Sequence, residues 1–280
     1  MVVPSSPIPL PTATKPVSFW ERQRRGWFCL ATFAVAPMGW FLRGRFIQRL
    51  EPERLDRGLV LILPGIEGRS FLNIAILQGL LDGGVPYALD IVDWTTGNKF
   101  LALYHLRSRQ RNLQVAEQLA QRIVQYQRDY PGRPVWIIGH SGGGGMALWT
   151  TCALPEETPL TGLVLLAAAI SPGYELAPIL AKLQRGLWTF SSYMDCIFTG
   201  IGTTLFGTLD GRHGPAVGMV GFHETAMKGA TSVTQFRYHP RYIAQFHLGG
   251  HFGCVHRVFI AENVAPILIA GETAANRPVP

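Results

Sequence analysis

Ser141 is the residue whose surroundings point most directly to chemistry. It sits in Gly139-His140-Ser141-Gly142-Gly143, behind the apolar run Val135-Trp136-Ile137-Ile138 and ahead of a helix-like stretch beginning near Met146. A short β-rich run, a Gly-x-Ser-x-Gly turn and a helix are what a chain needs to hold a serine in a strained strand-to-helix elbow. Small residues two before and two after the serine let strand and helix approach without a Cβ clash. The helix N-terminus then lies beneath the hydroxyl. A serine placed in this way attacks a carbonyl when a base takes its proton, an acid orients that base, and donors receive the oxyanion. A phosphate-cradling loop is the competing reading of a Gly-rich turn, but no Lys-Ser/Thr pair follows Gly145.

Strand, elbow and helix together resemble the nucleophile elbow of the α/β-hydrolases, and the resemblance covers roughly residues 54 to 270. It implies the chain order nucleophile, acid, histidine. On that pattern Asp195, after the apolar run 187–193, is the acid. Asp210, in Gly207-Thr208-Leu209-Asp210-Gly211, and Glu175 stay open as alternatives, although Asp-Gly is a strong turn signal. His251, in Leu248-Gly249-Gly250-His251-Phe252-Gly253, is the base, with His256 as the alternative. His140 is set aside because, as the serine's immediate neighbour, its side chain points elsewhere. The oxyanion donors implied are the N–H of Gly142 and, by position, that of Ile66 in Pro64-Gly65-Ile66-Glu67-Gly68. Related chains often carry His-Gly-x at that loop, and this one departs from it. Glu67 and Arg69 beside it read as a surface ion pair, or as a polar wall of the pocket.

The chemistry implied is that of a serine hydrolase cleaving carboxylic esters, lipid esters among them, through an acyl-enzyme and without a cofactor. Two rivals are an acyltransferase using the same three residues and a non-catalytic, membrane-associated binding protein on the same fold. A metal site is not indicated. His247, His251 and His256 would need a helix to converge, and Gly249-Gly250 opposes one. Asp90 and Asp93 lack a partner at a defined separation across a cleft, so they read as strand-end residues rather than a glycosidase pair. Cys29, Cys152, Cys196 and Cys254 show no C-x-x-C spacing. If Asp195 and His251 meet, Cys196 and Cys254 are carried close together, and a bridge between them is open.

The elements that must position these residues follow from periodicity. From about Arg54, short apolar runs alternate with helical patterns, which predicts βαβ units and a mostly parallel sheet with helices on both faces. Strands are expected over 58–63, 87–92, 135–138, 162–168, 187–193 and 231–238, and a closing helix from 255. Right-handed winding puts the carboxyl ends of the strands on one edge, which then carries Gly65, Ser141, Ser171 and Asp195. Fewer than 20 residues separate the strand at 162–168 from the next, leaving little or no room for a separate lid domain. The Gly-rich segment 198–222 is expected to form part of the substrate pocket.

Of the 280 residues, 48% are apolar and 15% charged, enough for a substantial core and against disorder. The net charge of +7 comes mainly from Arg. A nucleic-acid reading would want its clusters, at 22–25, 43–49 and 107–111, set with aromatic platforms or in a known module; the first two flank the apolar stretch 26–42, which membrane proximity explains better than DNA does. The third reads as a solvated helix face. At 17 residues without a charge, 26–42 is at the short limit for a membrane span. Three readings stay open for it: a membrane-embedded or interfacial anchor, a cleaved signal ending at Ala34-Val35-Ala36, and a helix packed on the domain surface. Membrane association is favoured and the compartment stays open. Residues 1–50 are expected to form a tail, Pro-rich over its first 16 residues, and 51–280 the catalytic domain.

Overall fold

A computed structural model describes residues 17–227 and 232–270, so the Pro-rich start of the tail lies outside the described residues. Seven strands form one sheet: β1 (Gln48–Arg49), β2 (Leu59–Leu63), β3 (Ala88–Ile91), β4 (Val135–His140), β5 (Leu160–Leu166), β6 (Leu183–Ser191) and β7 (Val233–Arg237). Their order is β1-β3-β2-β4-β5-β6-β7. Every neighbouring pair is parallel except β1 with β3. Strands β2, β4 and β5 are buried along their whole length, which is why they read as unbroken apolar runs instead of alternating ones.

Successive side chains of one strand serve opposite cores. Leu61 and Ile137 meet Leu119 and Ile123 of the Arg109–Asp129 helix and Met146 and Leu148 of the Gly142–Ala153 helix. Ile62 and Ile138 meet Ile76, Leu77 and Leu80 of the Phe71–Asp82 helix, with Phe259 and Val264 from the C-terminal helical segment. The chain winds outward from β2 to β3 on one side and from β4 to β7 on the other. The switch falls between β2 and β4, where Leu63 stands opposite Gly139. Ligands of open α/β sheets sit at this crevice, beyond the carboxyl ends of the strands.

Strands β5 and β6 begin and end earlier than apolarity predicts. Strand β5 stops at Leu166 because Ala167 turns to φ 48°. Strand β6 starts with Leu183-Gln184-Arg185, whose polarity hid it, and is bent at Gly186, φ 132°, where a Cβ would lie 2.2 Å from the Ser232 carbonyl oxygen.

The apolar stretch 26–42 is not one helix. Helix α1 (Phe19–Phe33) ends ahead of a 3₁₀ segment, Ala36–Phe41, and among the described residues no helix is long and apolar enough to cross a membrane. One side of helix α1 packs on the domain. Gly26 sits over the Phe246 ring, where a Cβ would come within 2.2 Å. Arg22 pairs with Glu262 at 2.5 Å, and Arg25 with Asp82 at 2.8 Å, so these arginines serve the packing of the helix. His256, the alternative base, is committed to the same junction. Its Nε2–H donates to the Gly26 carbonyl at 3.1 Å while its Nδ1 accepts from Val258 N at 3.2 Å. Burial pulls its pKa down to about 4.

Candidate active site

Ser141 has φ 53° and ψ −122°, a backbone state that costs a non-glycine residue about 1–3 kcal/mol. The surroundings hold it there: its N–H donates to Leu166 O at 2.9 Å and its carbonyl accepts from Ala169 N at 2.9 Å. The flanking glycines have a steric cause. A Cβ on Gly139 would stand 2.4 Å from Gly143 O, and one on Gly143 would stand 2.2 Å from Leu63 O. Only hydrogens fit between the elbow and the neighbouring strand end.

Asp195 and His251, distant in sequence, meet at the same edge. Asp195 Oδ2 lies 2.6 Å from His251 Nδ1, and Asp195 Oδ1 accepts from Thr199 N at 3.3 Å. Both side chains are buried. The imidazole is held between rings, with Phe198 stacked at 4.7 Å and His140 at 4.9 Å. Burial first, and the neighbouring His251 second, hold the His140 pKa well below the usual range. His140 is therefore a neutral packing partner, its Nε2 3.4 Å from the His251 carbonyl. With Nδ1 of His251 occupied by Asp195, Nε2 is the nitrogen left free for proton transfer.

The loop after β2 approaches the elbow closely. A Cβ on Gly142 would lie 2.8 Å from Ile66 Cγ2 and 3.6 Å from Ile66 N. As the first residue of its helix, Gly142 has an N–H without an intrahelical acceptor. Two side chains pin the loop from behind. Trp94 Nε1 donates to Pro64 O at 2.6 Å, and His105 Nδ1 donates to Ile66 O at 2.9 Å. The His105 tautomer follows from its other nitrogen, which accepts from Thr96 N at 3.1 Å. Arg111, expected on a solvated face, extends this support by donating to Trp94 O at 2.7 Å.

Glu67 and Arg69 do not form the expected ion pair among the described residues. The backbone N–H of Arg69 donates to Asp93 Oδ2 at 3.3 Å, and the Arg69 guanidinium reaches Leu42 O at 3.4 Å. Glu67 turns inward, where Oε2 would lie 2.2 Å from a Cβ on Gly65, which in turn would stand 3.1 Å from Ser141 Cβ. Burial raises its carboxyl above the ordinary range, opposed by its own backbone N–H, by His251 and by Ser70. Ser141, His251, Ile66 and Glu67 all line one cavity of about 600 Å³. Its remaining wall is mainly apolar and includes Leu72, Leu106, Phe198 and Phe206. Phe198, Thr199, Gly202, Thr203 and Phe206 come from the Gly-rich segment expected at the pocket.

The alternative acid is used elsewhere. Asp210 accepts from Ser171 N at 3.0 Å and Thr208 Oγ1 at 2.6 Å, closing its own turn. Cys196 and Cys254 are both free thiols, one exposed and one buried, so the bridge left open by the sequence is not formed. Among the described residues no group of His, Cys, Asp and Glu could hold a metal ion.

Sheet order, the elbow at the end of β4 and the chain order of serine, aspartate and histidine make this an α/β-hydrolase fold. No family model matches the chain, and no curated protein does. Solved structures similar to it include a predicted CIB-like hydrolase from Thermoplasma acidophilum, 12% identical, with TM-score 0.47 over 81% of this chain and 90% of that one. A dienelactone hydrolase from Anabaena variabilis is 18% identical, with TM-score 0.45 over 77% and 86%. Esterase PE8 is 16% identical, with TM-score 0.44 over 65% and 82%. These likenesses accompany the fold and carry nothing about substrate.

Proposed function

We propose that the chain is a serine hydrolase of carboxylic esters with an apolar acyl group. Ser141 Oγ attacks the ester carbonyl carbon while His251 Nε2 takes its proton, and Asp195 holds the other edge of the ring by accepting from Nδ1–H. The tetrahedral oxyanion is received by the N–H groups of Gly142 and Ile66. Collapse breaks the bond to the alcohol, which leaves with the proton from His251. Water then attacks the acyl-Ser141 ester and gives a proton to His251, and the acid departs as the serine regains its hydrogen. Every proton taken up is returned, so no cofactor is needed.

The observation that supports this most is the 2.6 Å contact of Asp195 with His251 at a cavity that also contains a serine held at positive φ. The apolar wall supports the substrate class, because an acyl chain is the ester component that such a wall removes from water. The test is a panel of nitrophenyl esters of rising chain length given to wild type and to Ser141→Ala. Rates that rise from acetate to medium chains in wild type and vanish in the variant are expected. Equal rates in the two proteins would end the proposal.

A further inference from the structure

The cavity opens among apolar side chains that the rest of the fold leaves uncovered. Leu103, Ile197, Phe198 and Phe206 line it and are also exposed. Beyond them, outside the cavity wall, stand Phe100 at 99% exposure, Ile201 at 60% and Leu205 at 64%. Single exposed apolar residues are ordinary on soluble surfaces. These belong to segments that all reach one mouth: the Ala102–Arg107 helix with the turn before it, the π segment Cys196–Gly202, and the Thr203–Phe206 helix. The N-terminal segment completes the rim, since Phe33 and Ala36 line the cavity while Val35 and Met38 are exposed beside them. An apolar area gathered around a ligand mouth marks an interaction surface.

Charge and geometry together select the partner. Residues 100–106 and 196–206 contain no Asp, Glu, Lys or Arg. Of the acids near it, Asp195 is buried against His251 and Glu67 is turned inward against Gly65 in the cavity wall. Lys99 and exposed Arg107 bound the first segment. An uncharged centre with a basic fringe complements an anionic lipid surface. A second protein seated there would cover this mouth, whereas a lipid surface covers the same side chains and supplies esters to it.

We infer that this rim docks the protein on anionic lipid surfaces, with the cavity mouth facing the lipid. The inference deepens the hydrolase reading and rests on it for substrate class: the ester is drawn from a lipid assembly instead of bulk water. Docking is interfacial, through side chains of short segments, and needs no spanning helix.

The experiment uses the full chain and vesicles of equal parts phosphatidylcholine and phosphatidylglycerol. Co-sedimentation is measured for wild type, for Ser141→Ala and for the triple variant Phe100→Ser/Ile201→Ser/Leu205→Ser, none of whose positions lines the cavity. Hydrolysis of soluble nitrophenyl acetate is measured in parallel. Wild type and Ser141→Ala are expected to bind alike. The triple variant is expected to partition about a hundredfold more weakly, the scale of withdrawing several large apolar side chains from lipid, at unchanged acetate turnover. Vesicle binding without acetate hydrolysis in wild type would support docking while removing the hydrolase reading. Equal binding by the triple variant, or none by wild type, overturns the inference. So does concentration-dependent self-association of wild type that the triple variant lacks, which would make the face a contact between copies.

Discussion

His105 Nδ1 lies 2.9 Å from the carbonyl oxygen of Ile66, and this bond fixes one side of a loop whose other side is held by Trp94 at Pro64. The Gly65–Ile66 peptide between them carries the N–H proposed to receive the oxyanion. Trp94→Phe keeps most of the ring and removes the donor, and His105→Gln removes the Nδ1 donor. Each is expected to lower kcat about 10- to 100-fold with KM changed by less than about threefold, part of the cost of losing an oxyanion donor outright. Steady-state kinetics on a soluble nitrophenyl ester decides this. A rise in KM at constant kcat would place both residues in substrate binding instead.

Asp195 buried against His251 sets the imidazole tautomer. Asp195→Asn is expected to lower kcat by about 10⁴, the scale seen when a triad carboxylate becomes an amide. Asp210→Asn, which touches only the 171 and 208 turn, is expected to lose less than about tenfold. Reversal of the two effects would move the acid to Asp210.

Glu67 gives a stability change of known sign. Its carboxyl is raised in the folded protein by burial, so the native state holds that proton more tightly than the unfolded chain. The stability this contributes is full below the ordinary carboxyl pKa of about 4.3 and is lost as pH rises through the raised native value. Glu67→Gln removes that loss. Its Tm is expected to match wild type near pH 4 and to exceed it increasingly toward neutrality. A Tm difference constant across that range would show that Glu67 titrates normally.

His247 and His256 act in the opposite direction. Burial lowers both to about 4, so the unfolded chain binds protons that the native state refuses. Stability is full above about pH 6.5 and falls as the pH drops toward 4, by about 3 kcal/mol for each histidine. Urea unfolding followed at neutral pH and near pH 4.5 should show a marked fall in midpoint, reduced in His247→Gln. A midpoint independent of pH would contradict the buried neutral state.

Local pattern made some of this site visible and hid the rest. The elbow was legible because Gly139 and Gly143 are required by contacts within a few residues and the adjoining strand, and those constraints leave a motif. Asp195 and His251 were nominated by chain order, and the fold brings them to 2.6 Å. Nothing comparable announced Trp94 or His105, and Phe198 was expected at the pocket only as part of a segment, not as the ring stacked on His251. Their contacts join residues with no fixed spacing, and an apolar or aromatic residue fits a core equally well. The same ambiguity affected 26–42, where Gly26, Cys29 and Ala36 are buried while Trp27, Phe28, Val35 and Met38 are exposed, so apolarity alone did not separate packing on the domain from contact with lipid. For Glu67 and Arg69, adjacency suggested a pair, while Asp93 and Leu42 took the Arg69 groups and left the carboxyl to the cavity.

The site depends on the hydroxyl at position 141 being nucleophilic in the resting protein. Fluorophosphonate labelling of the full chain, followed by mass mapping of the adduct, tests that most directly. One phosphonyl group on Ser141, absent in Ser141→Ala and much slowed in Asp195→Asn, is the result expected. An unlabelled wild type, or a label that survives removal of the Ser141 oxygen, would contradict the account.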